Sequence, residues 1–217
     1  MLEVDSLSHA YGSHRVLSGV YLRVRRGEIL GVVGRNGCGK TTMLRAILGA
    51  LRADHVHLGI DGEVVHRAFR SGAVAYLPQE PYLPRRMRVQ RIVSLALPTR
   101  EARGIVGRHR RVKPLLKERV AALSGGEQRY LEVLLAAFFP SAYSLLDEPF
   151  TEIEPLHRGP LREELRRIAA QHHRGIVITD HAYRDVLATA DRVVVLSDGV
   201  VQTVDGEADL RRWRYTL

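Results

Sequence analysis

The spacing of apolar positions changes several times along the chain, and each change predicts an element. Residues 2–28, LEVDSLSHAYGSHRVLSGVYLRVRRGE, alternate apolar and polar positions between glycine-containing turns, the pattern of an antiparallel β region. A short apolar run ending in glycine follows, EILGVVG (28–34). After it comes KTTMLRAILGAL (40–51), where Met43, Leu44, Ile47, Leu48 and Leu51 recur at helical spacing. That is strand, glycine-rich loop, helix. Four more apolar runs suit buried strands: AVAYL (73–77), YSLL (143–146), IVIT (176–179) and VVVL (193–196).

Helical patterns separate the later strands. Val89, Ile92, Val93, Ala96 and Leu97 form one face, stopped by Pro98. Leu161, Leu165, Ile168 and Ala169 form another, with Gly175 placed to end the segment. Strands alternating with helices predict an α/β fold with a mainly parallel central sheet. The stretch from about 84 to 140 carries helical patterns and no clear strand. It predicts a helical subdomain inserted into a single domain whose core is made by about 1–83 and 141–217. No internal repeat or low-complexity linker argues for tandem modules.

Composition narrows the class. The apolar fraction of 45% and charged fraction of 26% are those of a soluble globular protein. No apolar run is long enough to span a membrane, and MLEVDSLSHA has no signal-peptide character. The single cysteine, Cys38, excludes an intramolecular disulfide framework. A cytosolic location is therefore expected. The net charge is +9, carried almost wholly by arginine, and its position is informative. Twelve basic residues between Arg85 and Arg119 face only Glu101 and Glu118, so this segment alone nets +10. Such a block suits acidic headgroups, an acidic partner or nucleic acid, or is a solvated surface.

Gly34-Arg35-Asn36-Gly37-Cys38-Gly39-Lys40-Thr41-Thr42 satisfies G-x-x-x-x-G-K-[ST] between an apolar strand and an amphipathic helix. Glycines let the backbone wrap close to an oligophosphate, with N–H groups and the helix start meeting its charge. Lys40 can reach the β- and γ-phosphates, and the Thr41 hydroxyl can ligate Mg2+. This is a nucleoside-triphosphate site. Such a site needs a carboxylate at a neighbouring strand end, and SLLDEP supplies Asp147 for the metal. Glu148 is then placed to orient the attacking water and accept its proton late in the reaction. Cys38 lies at the helix start, where the local field lowers a thiol pKa; the favoured reading is that cysteine fills a small-residue position there.

A second motif, Leu123-Ser124-Gly125-Gly126-Glu127-Gln128-Arg129, resembles the signature sequence of ATP-binding cassette (ABC) ATPases, and it precedes Asp147-Glu148 at the family's separation. Other pieces fall in family order from about residue 2 to 206. Tyr11 resembles the aromatic that stacks on adenine, Gln79 in YLPQEP the glutamine that contacts metal or attacking water, and His181 in VITDHAY the histidine that senses γ-phosphate. The resemblance implies that the start at Ser124, Gly125 and Gly126 reaches the nucleotide of a second subunit. Two cassettes then join head-to-tail around two ATP molecules.

The chain departs from the family pattern after DEP. A small residue and an aspartate are usual there, and this chain has Thr151-Glu152-Ile153-Glu154-Pro155. The resemblance makes this acidic loop a dimer-interface element.

The resemblance implies an ATPase subunit of an ABC transporter. It would be peripheral on the cytoplasmic face and paired with separate integral-membrane subunits that contact the helical subdomain. A soluble ABC ATPase acting on ribosome, nucleic acid or cofactor assembly is the alternative, supported by the basic block and opposed by the single cassette; nucleic acid is not the expected partner. A binding-only cassette is a third reading, opposed by Glu148 and His181. LLDEPF and ITDH resemble ATPases of both lipopolysaccharide export and branched-chain amino-acid import, so direction and cargo stay open.

Overall fold

The computed structural model describes residues 1–181 and 183–204. Asp205 to Leu217, and with them the last residues of the family resemblance, lie outside the described residues.

Two sheets build the molecule. The first is antiparallel, in the order β2-β1-β4-β5, from β1 (Leu2–Tyr11), β2 (His14–Val24), β4 (His55–Ile60) and β5 (Glu63–Val64). In β1 the buried positions run Leu2, Val4, then Leu7 and His9. The phase slips because Ser6 adopts φ 56° and the pairing register shifts there, a bulge that keeps apolar side chains on one face. Sequence reasoning passed over β4 and β5. Their signal was Asp61-Gly62, with φ 54° and 92°, a two-residue hairpin turn.

The second sheet has the order β10-β9-β3-β8-β7-β6. It comprises β3 (Ile29–Val33), β6 (Val74–Leu77), β7 (Tyr143–Asp147), β8 (Gly175–Thr179), β9 (Arg192–Ser197) and β10 (Val200–Val204). Only the β9–β10 pair is antiparallel. Both faces are covered, which is why these strands read as continuous apolar runs. Leu30, Val32, Leu145, Val177 and Val194 pack toward α1 (Lys40–Leu48) and the antiparallel sheet. Ile29, Val33, Leu146, Ile176, Ile178 and Val193 face the opposite layer. The expected α/β class, with its mainly parallel sheet, β-rich start and helical insert, is the architecture seen.

The helices opposite are α3 (Val89–Ala96), α4 (Arg100–Arg108), α5 (Gly125–Phe138), α6 (Pro155–Gln171) and α7 (Tyr183–Thr189), while α2 (Ala68–Ser71) is a single turn before β6. Helix α6 starts well before the expected Leu161, with Pro155 at its first position, where the missing N–H costs nothing. Pro160 lies inside it and takes the partner from the Leu156 carbonyl, at a residue 79% exposed to water. The basic segment folds back on itself through Val89 N–H to Glu118 O, 3.0 Å, and Val120 N–H to Met87 O, 3.0 Å. Ten of its twelve cations are exposed, and none of those ten is ion-paired among the described residues.

Two polar hubs join the layers. Asp61, in the β4–β5 turn, accepts from the Tyr143 hydroxyl (2.7 Å) and Arg26 Nη2 (2.7 Å) and pairs with the Met1 amine. Arg26, the amine and Tyr143 together hold its carboxyl far below the usual carboxylate range. The second hub is Arg129 on α5, 4% exposed. Its guanidinium donates to Pro78 O after β6 (2.8 Å) and to Asp147 O and Glu148 O after β7, and it pairs with the fully buried Glu132 at 3.3 Å. Glu132 in turn accepts from Tyr82 N–H and Gln128 Nε2.

Asp61→Asn lowers the melting temperature by a few degrees at neutral pH. Because the folded pKa is depressed, the charge-dependent stability is present above the unfolded pKa of about 4 and is lost as pH falls below it. Melting curves from pH 7 to 3 therefore show the gap between variant and parent closing in acid. Arg129→Met strands Glu132 and costs roughly 3–5 kcal/mol in urea unfolding, and adding Glu132→Gln recovers part of the loss.

Candidate functional site

The parallel strands β3, β8, β7 and β6 are neighbours, so their C-terminal ends lie in one row. Every chemical group predicted from sequence, apart from Tyr11 and the α5 start, sits in or just after one of those ends. Ligands in open α/β sheets bind along this edge.

The loop after β3 is shaped by Gly37 and Gly39, with φ 80° and 107°, conformations that a side chain would strain. A Cβ on Gly39 would come 2.7 Å from Val16 Cγ1, so the loop also lies tight against β2. Lys40, 6% exposed, turns its ammonium inward and donates to Gly34 O (2.6 Å) and Arg35 O (3.1 Å). These two carbonyls hold the ammonium within the loop.

A cleft of about 530 Å3 opens over this loop, within the range of small-molecule sites. Asn36, Gly37, Gly39, Lys40, Thr41 and Thr42 line its floor. Gln79, Glu148 and His181 line one wall; Tyr11 and His14 line another. Tyr11 is 53% exposed, edge-on to His9 at 4.7 Å, with its hydroxyl 3.5 Å from Thr42 Oγ1. Its ring is thus a flat, fixed and wet surface at the mouth. Sequence reasoning did not include His14, which has no motif to mark it.

The carboxylates behind the cleft are held separately. Asp147 is fully buried; Oδ1 accepts from Thr179 Oγ1 at 2.6 Å and Oδ2 from the Tyr76 hydroxyl at 3.3 Å. Burial, and then the Asp147 charge, push the Tyr76 hydroxyl up to about 12, so it stays a donor. Glu148 has φ 51° and donates its N–H to Thr179 O at 2.8 Å, which turns its side chain out of the strand and into the cleft. Its Oε2 accepts from Gln79 Nε2 and Thr151 Oγ1, both at 3.2 Å, and His181 Nδ1 lies 3.6 Å away. One carboxylate oxygen therefore faces three groups able to donate to it or to a water beside it. Thr179 and Tyr76 were not singled out from sequence. Thr179 had a signal, since a polar residue ends an apolar strand and its register partner is Asp147.

Seven expected residues do not line the cleft: Gly34, Arg35 and Cys38 of the loop, the buried Asp147, and the three at the α5 start. Ser124, Gly125 and Gly126 start α5, where Ser124 Oγ accepts from Glu127 N–H (3.2 Å) and Glu127 Oε2 accepts from Ser124 N–H (2.8 Å). Ser124 and Gly126 line a different cavity of about 370 Å3, together with Glu152 and Glu154. Within one chain they do not join the phosphate loop. Arg35 and Cys38 face a cleft on the far side of that loop. The expectation of an acidified Cys38 thiol is overturned. Burial is the largest influence and raises its pKa, outweighing the Lys40 charge.

Comparison with known proteins gives the arrangement a family. Residues 17–151 match the family model described as ABC transporter. A probable ABC transporter ATP-binding protein of Azorhizobium caulinodans is 33% identical over 97% of this chain and 81% of its own length. The lipopolysaccharide export system ATP-binding protein LptB of Acidithiobacillus ferridurans is 33% identical over 97% of this chain and 92% of its own length. A solved structure of the ATP binding subunit of an ABC transporter superposes with TM-score 0.84 at 26% identity, covering 99% of this chain and 93% of that one. The chain belongs to the ABC transporter family of ATP-binding, ATP-hydrolysing subunits.

Proposed function

We propose that this ATPase works as a head-to-tail dimer on the cytoplasmic face of a membrane, driving separate integral-membrane subunits. One observation carries the reading. The cleft gathers Lys40, Thr41, Gln79, Glu148 and His181, while the helix start at Ser124–Gly126 opens on a separate surface. A second copy of the chain supplies the missing side of each site. The helical region from about 84 to 140, with its exposed cations, then faces the membrane subunits and anionic headgroups. Among the described residues no helix is long and apolar enough to cross a membrane, so the spanning parts belong to other chains in this reading.

In this mechanism the phosphate loop and Lys40 bind the β- and γ-phosphates, and Tyr11 stacks on the base. Gln79 and Glu148 hold the attacking water in line, Glu148 accepts its proton as the P–O bond breaks, and His181 contacts the γ-phosphate. Arg129 keeps Glu148 in place through the carbonyls it binds. Mg2+ suits the oxygen donors Thr41, Gln79 and Asp147. When bound, Mg2+ neutralises charge on the β- and γ-oxygens.

The basic segment also favours a second reading, a soluble ATPase on an acidic assembly such as the ribosome. One experiment separates the two. Glu148→Gln lowers phosphate release by about 100-fold or more while keeping ATP binding, whereas Lys40→Ala loses binding. Glu148→Gln bait in gently solubilised membranes then recovers a polytopic membrane protein if the transporter reading is right. Recovery of soluble assemblies alone, with the chain absent from membranes, replaces it with the second reading. Neutralising Arg85, Arg88 and Arg119 together lowers the membrane-bound fraction several-fold at unchanged ATP affinity, read by flotation.

A further inference from the structure

Asp180 follows β8 directly, and it is fully buried. A carboxylate in such a place is costly unless its oxygens meet donors. Two of the groups it faces belong to the reactive edge. Asp180 Oδ2 accepts from Phe150 N–H at 3.3 Å, in the turn that carries Glu148. Its Oδ1 lies 3.5 Å from His181 Nδ1. The same Nδ1 lies 3.6 Å from Glu148 Oε2. One edge of the imidazole is therefore shared between two carboxylates at nearly equal distance, each a few tenths of an ångström beyond a good hydrogen bond. His181 lines the cleft, and Asp180 does not.

The turn and the segment after β8 are joined again further along. Arg158, on α6, donates from Nε to Ile153 O (2.8 Å) and from Nη1 to Asp185 Oδ2 on α7 (2.9 Å). Arg162 Nη1 reaches the other Asp185 oxygen at 3.3 Å. The turn after Glu148 and the start of α7 are thus held as one body, and Asp180 is the tie that ends at the imidazole.

We propose that Asp180 is a positioning residue for His181. By accepting from Nδ1–H it holds the ring with the Nε2 edge toward the γ-phosphate, and it draws Nδ1 off Glu148, so that Oε2 is left to the attacking water. The proposal rests on the roles given to His181 and Glu148 above. A small rotation of the ring decides which carboxylate Nδ1 serves. Turned to Glu148, the imidazole occupies the oxygen that must receive the proton of the water. Turned to Asp180, it leaves that oxygen open. Because Asp180 also holds Phe150 N–H, the group that turns His181 is fixed relative to Glu148 itself. Asp180 acts through the ring, without touching nucleotide.

The test is a cycle of Asp180→Asn and His181→Ala in the full chain. Asparagine keeps an acceptor for Phe150 N–H and sets an NH2 group opposite Nδ1, so it removes only the oxygen that faces the ring. Single-turnover hydrolysis at saturating MgATP gives the rate of the chemical step, and nucleotide titration gives affinity. Asp180→Asn lowers the rate on the order of tenfold, the scale of a misplaced catalytic group, at unchanged ATP affinity. In the His181→Ala background the same change alters the rate by less than about twofold, since no ring is left to position. Asp180→Ala, which needs no amide orientation, repeats this pattern at a lower melting temperature. An unchanged rate in Asp180→Asn, or an equal loss with and without His181, reduces Asp180 to a structural tie and leaves the reading of the site standing. An unchanged rate in His181→Ala alone removes His181 from the reaction, and the positioning role with it.

Discussion

A single buried cation decides where the reactive edge of this molecule can be. Arg129 leaves the first turns of α5 and ends among the carbonyls of Pro78, Asp147 and Glu148, with Glu132 as its charge partner. Those carbonyls follow two adjacent strands, and apart from Glu148 O, which also accepts from Thr151 N–H, they depend on the guanidinium for a partner. A neutral side chain would leave them unsatisfied, and a lysine has no planar fork to reach three oxygens in different directions. The guanidinium thus fixes the strand ends, the α5 start and the Gln79 loop as one rigid unit. Everything the cleft does depends on that unit staying assembled.

Given the unit, the site follows from topology. Parallel pairing of β3, β8, β7 and β6 puts four loops on one edge, and the phosphate loop, after β3, stands at one end of that row. Asp147 and Glu148 are neighbours in sequence but divide their work through backbone alone. Asp147 ends the strand and stays buried with Thr179 and Tyr76. Glu148, in the left-handed region, turns toward the cleft. Adjacent carboxylates are needed because a strand end and the first residue after it point in different directions.

Much of this was legible in the sequence, for a physical reason. Strands buried on both faces must be continuously apolar, and a glycine loop that wraps phosphate has few alternatives, so β3, β7, β8, β9 and residues 34–42 announced themselves. The hairpin at Asp61-Gly62 was legible and was passed over. The start of α6 was hidden because Pro160 imitates a helix boundary. Arg129 and Tyr76 act through contacts made only when distant elements meet, which no spacing rule describes. The Cys38 thiol followed burial rather than the helix field, and burial depends on how the loop packs against β2.

The acidic turn makes sense only with the half-built site in view. Among the described residues the N–H groups of Gly125 and Gly126 at the α5 start have no acceptor, and a negative charge near a helix start is stabilising. A nucleotide from a partner can provide that anion, but only when a partner is present. Glu152 lies beside this start, exposed and without a hydrogen bond to either N–H among the described residues, on the same turn that orients Glu148. The left-handed backbone at both residues is therefore one constraint with two uses. It turns Glu148 into the cleft, and four residues later it sets Glu152 against Gly125 and Gly126.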